Sequence, residues 1–205
     1  MKPFNGFEDA QKSARYTGSA KLPKGAYVAK IMAVRYEEGQ NGASSRIVVQ
    51  FDIAEGEYKG FFKSAYDADT SEDKKWKGKV TVYVPKDDGS DTDKWTKNKF
   101  AKWTNALEDS NKKYSWDWDE SKWKGLLVGL NYRTTNKMIE GRPCSYTEVA
   151  YPLDVETVRA GKAPEAKDYT SDDYKAPSPD SNSNVTTDDN GFMNVAPGTE
   201  TEIPF

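Results

Sequence analysis

Residues 46–54, RIVVQFDIA, put Ile47, Val49, Phe51 and Ile53 on one side of an extended chain and Val48, Gln50 and Asp52 on the other. A period of two over eight or nine residues fits a half-buried β-strand and does not fit a helix. The same alternation returns at 79–84, where Val80, Val82 and Val84 point inward and Lys79, Thr81 and Tyr83 outward before Pro85 closes the run. Upstream, Gly25 precedes AYVAKIMAVRY (26–36), whose β-branched and aromatic content predicts a long strand apolar on both faces for part of its length. EEGQNGASS (37–45) reads as the turn between the first two strands. The segment EGEYKGFFKSAY (55–66) is expected to continue the sheet, ahead of a polar loop, DADTSEDKK.

After Pro85 the period changes. Trp95, Phe100, Trp103, Ala106 and Leu107 recur at helical intervals, with Asp93 as the expected N-cap and Ser110-Asn111 as the stop. Two further strands follow, LLVGLNYRT (126–134) and PCSYTEVAY (143–151), and a short helix from Asp154 to Ala160 ends at Gly161. Three strands, a helix and two strands is the element order of a five-stranded OB barrel with its helix between strands three and four. An immunoglobulin-like sandwich would need about seven strands and no long internal helix. The expected fold class is therefore mainly β, an OB-type barrel with a tail.

The tail is visible in composition. Only 36% of the 205 residues are hydrophobic, against roughly 45–50% apolar in an ordinary globular domain. From Pro164 the chain is rich in Pro, Ser, Asn, Asp and Thr, with no apolar periodicity, which predicts a disordered acidic linker over 164–198. Charge divides at the same point. Residues 164–205 carry Lys167 and Lys175 against nine acids, a net −7, so residues 1–163 hold 28 bases and 24 acids, a net +4. The overall −3 conceals a mildly basic body.

There is no histidine and one cysteine, Cys144. Ser-His-Asp and Cys-His nucleophile systems, histidine-ligated metals, CxxC redox pairs and intrachain disulfides are excluded together. An EF-hand loop starting at Asp67 fails, since its sixth and twelfth positions hold Glu72 and Gly78 instead of Gly and Glu. A two-metal nuclease assembled from scattered carboxylates has no spacing in its favour. No catalysis and no cofactor are expected. MKPFNGFEDAQKSARY lacks the apolar stretch of a signal peptide, and no run approaches membrane-spanning length. The expectation is a soluble protein of the cytoplasm without a membrane partner.

The chain ends TETEIPF, so that Glu200, Glu202, Ile203, Pro204 and Phe205 form an acidic tip with two apolar anchors on a long leash. Such an end suits a small apolar pocket rimmed by Arg or Lys. The tip resembles the acidic Ile-Pro-Phe terminus of bacterial and phage single-stranded DNA-binding proteins, with Glu-Thr-Glu in place of a run of Asp. That resemblance implies recruitment of partner proteins through residues 199–205. In the body, KLPKGAYVAKI (21–31), VVQFDIAEGEYKGFF (48–62), ALEDSN (106–111) and WDWDESKWKGLLVG (116–129) are similar to the single-stranded DNA-binding proteins carried by phages of Gram-positive bacteria, over roughly residues 3–160. This second resemblance implies an OB-type DNA-binding domain over 1–163, sequence-tolerant binding that protects single strands, and service in replication or recombination inside a bacterial host.

That task needs cations that track phosphates and exposed rings on which unpaired bases stack. All six tryptophans lie between residues 76 and 123, interleaved with lysines. Trp95 and Trp103 fall on the apolar side of the helix and are expected in the core. Trp116, Trp118 and Trp123 flank a strand, where they either cap the barrel end or meet ligand. Trp76 and Tyr83 lie near the outward face of the third strand and are the leading stacking candidates, with Tyr36 and Phe62 behind them. By analogy with OB barrels, Arg46, Lys63, Lys79, Arg133 and Lys137 are the expected groove cations. The rival readings are an adaptor whose OB-like barrel binds protein and not nucleic acid, and, with less support, a carbohydrate-binding module. A homo-oligomer is compatible with the sequence.

Overall fold

The computed structural model describes residues 21–176, together with the backbone of two short strands, Thr186–Thr187 and Met193–Asn194, that pair antiparallel. Five long strands carry the fold: Gly25–Glu37 (β1), Arg46–Ile53 (β2), Lys79–Tyr83 (β3), Leu127–Ile139 (β4) and Arg142–Leu153 (β5). Their order across the sheet is β3-β2-β1-β4-β5, and a two-residue strand, Tyr169–Thr170 (β6), also pairs with β4. The sheet is therefore mainly antiparallel, open and six-stranded. β3 and β5 end the path, so the closure expected of a barrel is not among the pairings of the described residues, and β6 takes the count past the expected five.

Helices fall at Phe61–Ala68 (α1), Asp91–Ser110 (α2) and Val155–Arg159 (α3). The first is a correction, because residues 55–66 were expected to extend the sheet. The cause is Asp52. Its buried carboxylate accepts the backbone N–H of Phe62 at 2.9 Å and of Lys63 at 3.2 Å, which satisfies donors that the first turn of a helix leaves open. Gly60, at φ 73°, turns the chain into α1 through a left-handed conformation that favours glycine. The cap of α2 is a second correction: Ser90, not Asp93, takes that place and accepts from the Asp93 N–H at 3.1 Å. Asp93 is instead buried, accepting from the Asp87 N–H at 2.9 Å and pairing with Lys97 at the same distance.

The core is built from the inward rows: Ile47, Val49, Phe51 and Ile53 of β2, Ala29 and Ile31 of β1, Val128 and Leu130 of β4, and Phe100, Trp103 and Leu107 of α2. Asn111 fastens the end of α2 to the start of β4. Its Nδ2 donates to the carbonyls of Leu107 and Leu127 at 2.7 and 2.8 Å, and its Oδ1 accepts the Leu127 N–H at 3.1 Å.

The described residues divide into two compact units, 21–135 with 145–169, and 136–144 with the segment from 170 to 176 and the two short strands. Pro164 and Asp168 belong to the first, where they accept hydrogen bonds from the Asn131 side chain and the Thr134 N–H. The remainder of the expected linker past residue 176, the two short strands apart, and the tip lie outside the described residues. No helix among the described residues is long and apolar enough to cross a membrane.

Candidate nucleic-acid interface

Strand register decides which side chains share a surface. Across β2 and β3, Arg46 stands opposite Tyr83, Val48 opposite Thr81 and Gln50 opposite Lys79, while Ile47, Val49, Val82 and Val80 form the alternate, inward rows. Partners in an antiparallel ladder point to the same side. Arg46, Lys79 and Tyr83 therefore lie together on the outer face, Tyr83 with 53% of its surface exposed. β1 extends this face, since Arg35 stands opposite Val48 and Glu37 opposite Arg46.

Charge gathers at one end of this face, where β1 ends at Glu37, β2 begins at Arg46 and β3 ends at Tyr83. Arg46 Nε donates to Glu37 at 2.6 Å, and Arg35 bonds the other oxygen of the same carboxylate. The Arg46 hydrogen bond, joined by the nearby Arg35 charge, holds the Glu37 carboxyl below the usual carboxylate range. The same pair raises Arg46 further above its ordinary value. Lys30 and Lys79 are also exposed on this side, Lys30 opposite the buried Asp52 and Lys79 opposite Gln50, with Val48 and Thr81 between them and the Arg46 cluster.

Lys30 and Arg35 were not singled out from the sequence. A β-bulge between Ile31 and Ala33 inserts Met32 and shifts the side-chain parity of β1, so the run 26–36 shows no single phase from which to assign faces. Met32 is left half exposed beside the cations.

The other expected site residues fall elsewhere. Phe62 is a correction: it is a core side chain, edge-on to Phe51 and Phe61 at ring separations of 5.5 and 5.2 Å, and offers no face to a base. Trp76 is half buried, its indole N–H shared between the carbonyls of Phe51 and Gly78 at 3.1 and 3.0 Å, its ring tilted against Tyr66. It pins the approach to β3. Tyr36 stands opposite Ile47, hence on the inner side of the sheet. There it lines the rim of a recess of about 550 Å³ with Ser45, Val84 and Lys86. Lys63 lies on α1 and pairs with Asp67 at 2.7 Å. Arg133, on β4, is held by Glu148. Lys137 belongs to the second unit. Glu200, Glu202, Ile203, Pro204 and Phe205 lie outside the described residues.

The tryptophans divide differently from the expectation. Trp103 and Trp123 are buried. Trp95, expected in the core, is 58% exposed, because it sits off the stripe through Asp93, Phe100, Trp103 and Leu107 that α2 buries. Trp118 is 80% exposed and holds a left-handed backbone at φ 67°. It stands with Trp116, Phe100, Ala101, Val84 and Pro85 around a largely apolar cleft of about 580 Å³. Comparison with protein-family models and with curated proteins found no match.

Proposed function

We propose that the protein binds single-stranded DNA, with little dependence on base sequence, on the outer face of β1–β2–β3. The observation that carries this reading is the convergence of Arg46, Lys79, Arg35 and Lys30 with the exposed Tyr83 ring on one side of the sheet. Phosphate-tracking cations and a stacking ring are the two components that sequence-tolerant single-strand binding needs. Support also comes from the path β3-β2-β1-β4-β5 with α2 between β3 and β4. We read it as an OB-type arrangement in which β3 and β5 flank the opening. The resemblance of the body segments and the terminal EIPF to phage single-stranded DNA-binding proteins points the same way. In this reading the acidic tail carries a tip that recruits replication and recombination proteins, and the protein works in the cytoplasm of a bacterial host.

The test is a titration of the full chain against fluorescein-labelled oligo-dT and against a duplex of equal length, at low and moderate salt. The reading expects tight, salt-dependent binding to the single strand, with a log-log slope of about −0.7 per phosphate contacted, and much weaker binding to the duplex. One observation favours the adaptor instead, the apolar cleft beside the exposed Trp118. Absence of strand binding at low salt, with Trp118-dependent capture of a partner protein, would decide for it.

A further inference from the structure

On α2, Trp95, Lys99 and Lys102 occur at i, i+4 and i+7 and so share one helix face. It is turned away from the buried stripe of that helix. The Lys99 ammonium sits over the Trp95 indole, 3.4 Å from the ring centroid. A matching pair lies on β4 and β6, where the Arg133 guanidinium stands over the Tyr169 ring at 5.2 Å, with 41% of Tyr169 exposed. Arg133 is fixed in place by two hydrogen bonds to Glu148 Oε1, at 3.2 and 2.7 Å.

The two pairs are within electrostatic reach of one another. Lys99 is shifted below its ordinary value, first by partial burial and then by the charges of Arg133 and Lys102, with Glu148 alone opposing. Three cations, Lys99, Lys102 and Arg133, thus act on one another here, with Glu148 paired to Arg133. That is unfavourable in the unliganded protein and relieved by a bound anion. Each ring is already paired with a cation and still open to solvent, which favours a ligand that brings both negative charge and flat apolar faces. A single strand does so at every nucleotide. A duplex keeps its bases stacked inside and presents phosphates only.

We propose that Trp95, Lys99, Lys102, Arg133 and Tyr169 form a second contact station for single-stranded nucleic acid, separate from the outer face of β1–β2–β3. The inference rests on the single-strand reading given above and adds to it a site on α2 and β4. The station takes phosphates between Lys99, Lys102 and Arg133, and bases on the indole and phenol rings. Its contribution grows with strand length, because a strand too short to leave the sheet face cannot reach it.

The experiment uses the full chain and labelled oligo-dT of several lengths, comparing wild type with Lys99→Gln, Trp95→Ala and Trp95→Phe. Lys99→Gln keeps an exposed, helix-compatible side chain, so its effect is not one of folding. The expected result for long strands is a salt slope shallower by about 0.7 for Lys99→Gln. Affinity should fall at least about fivefold for Trp95→Ala, with partial recovery in Trp95→Phe. Short strands should bind all four proteins alike. Unchanged slope and affinity in Lys99→Gln and Trp95→Ala at every length, while Arg46→Ala weakens binding, overturns the second station and leaves the sheet-face reading standing. Absence of binding by the wild type at low salt overturns both.

Discussion

Arg46 and Tyr83 face one another across the β2–β3 ladder, on the side of the sheet opposite Ile47 and Val82. A cation and an exposed ring in one register position can hold a phosphate and stack the adjoining base without any sequence-reading hydrogen bond. Replacing Tyr83 by Ala should weaken binding of an oligo-dT strand by about 1–3 kcal/mol. Its exposure means that the melting temperature should barely move, which thermal denaturation of the variant checks.

In the proposed reading, Glu37 competes with the strand for Arg46. Because its carboxylate already accepts from Arg46 and Arg35, Glu37→Gln should tighten strand binding at low salt, and the gain should shrink as salt screens the face. The pH dependence has a defined sign. The Glu37 carboxyl is held below its ordinary 4.5, so the pair persists through neutral pH and is lost only as pH falls through the lowered value. Titrations of wild type and Glu37→Gln between pH 5 and 8 should therefore differ by a constant factor.

Gly78 is required by close approach. A Cβ there would meet the Phe51 carbonyl oxygen at 2.3 Å and the Phe62 ring at 2.7 Å. Gly78→Ala should destabilise the fold by about 1–3 kcal/mol and disturb the entry to β3. Chemical denaturation measures the first effect and loss of strand affinity the second.

Partly or fully buried tyrosines, Tyr114 and Tyr132 with Tyr27 beside the latter, should set the alkaline limit. Burial pushes the Tyr114 hydroxyl up to about 12 and raises Tyr132 as well, from an ordinary 10.0. The unfolded chain then loses these protons first. Stability is intact below about pH 10 and falls as pH rises through the folded-state values. Denaturation midpoints recorded from pH 9 to 12 should decline across that window, and less steeply in Tyr114→Phe.

Residues 177–205 contain five acids and no base. If this tail competes with phosphates for the basic body, a chain ending at Ala176 should bind oligo-dT more tightly at low salt than the full chain. The difference should vanish as salt rises. The cut belongs after 176 and not after 163, because Pro164 and Asp168 hydrogen-bond within the first unit.

Much of the sheet was legible in the sequence because alternation at 46–54 and 79–84 survives in β2 and β3, and with it the shared face of Arg46, Lys79 and Tyr83. What was not legible depended on contacts between distant residues. Nothing local in GFFKSAY announces α1, since the carboxylate that accepts its first-turn N–H groups belongs to Asp52, about ten positions earlier. The bulge at Met32 hid Lys30 and Arg35 by breaking parity. Phe62 reads as a surface ring only if its segment is a strand. Spacing from Trp103 places Trp95 in the core, yet the buried stripe of α2 runs through Asp93, which is held by Lys97 and the Asp87 backbone.

The central claim is that the outer face of β1–β2–β3 holds the strand, and the double variant Arg46→Ala, Lys79→Ala tests it most directly. Fluorescence anisotropy with a labelled oligo-dT should show a salt slope shallower by about 1.4, two phosphate contacts at about 0.7 each, with affinity reduced most at low salt and the melting temperature preserved. An unchanged slope and affinity in a folded double variant would contradict the account and move the binding surface off this face.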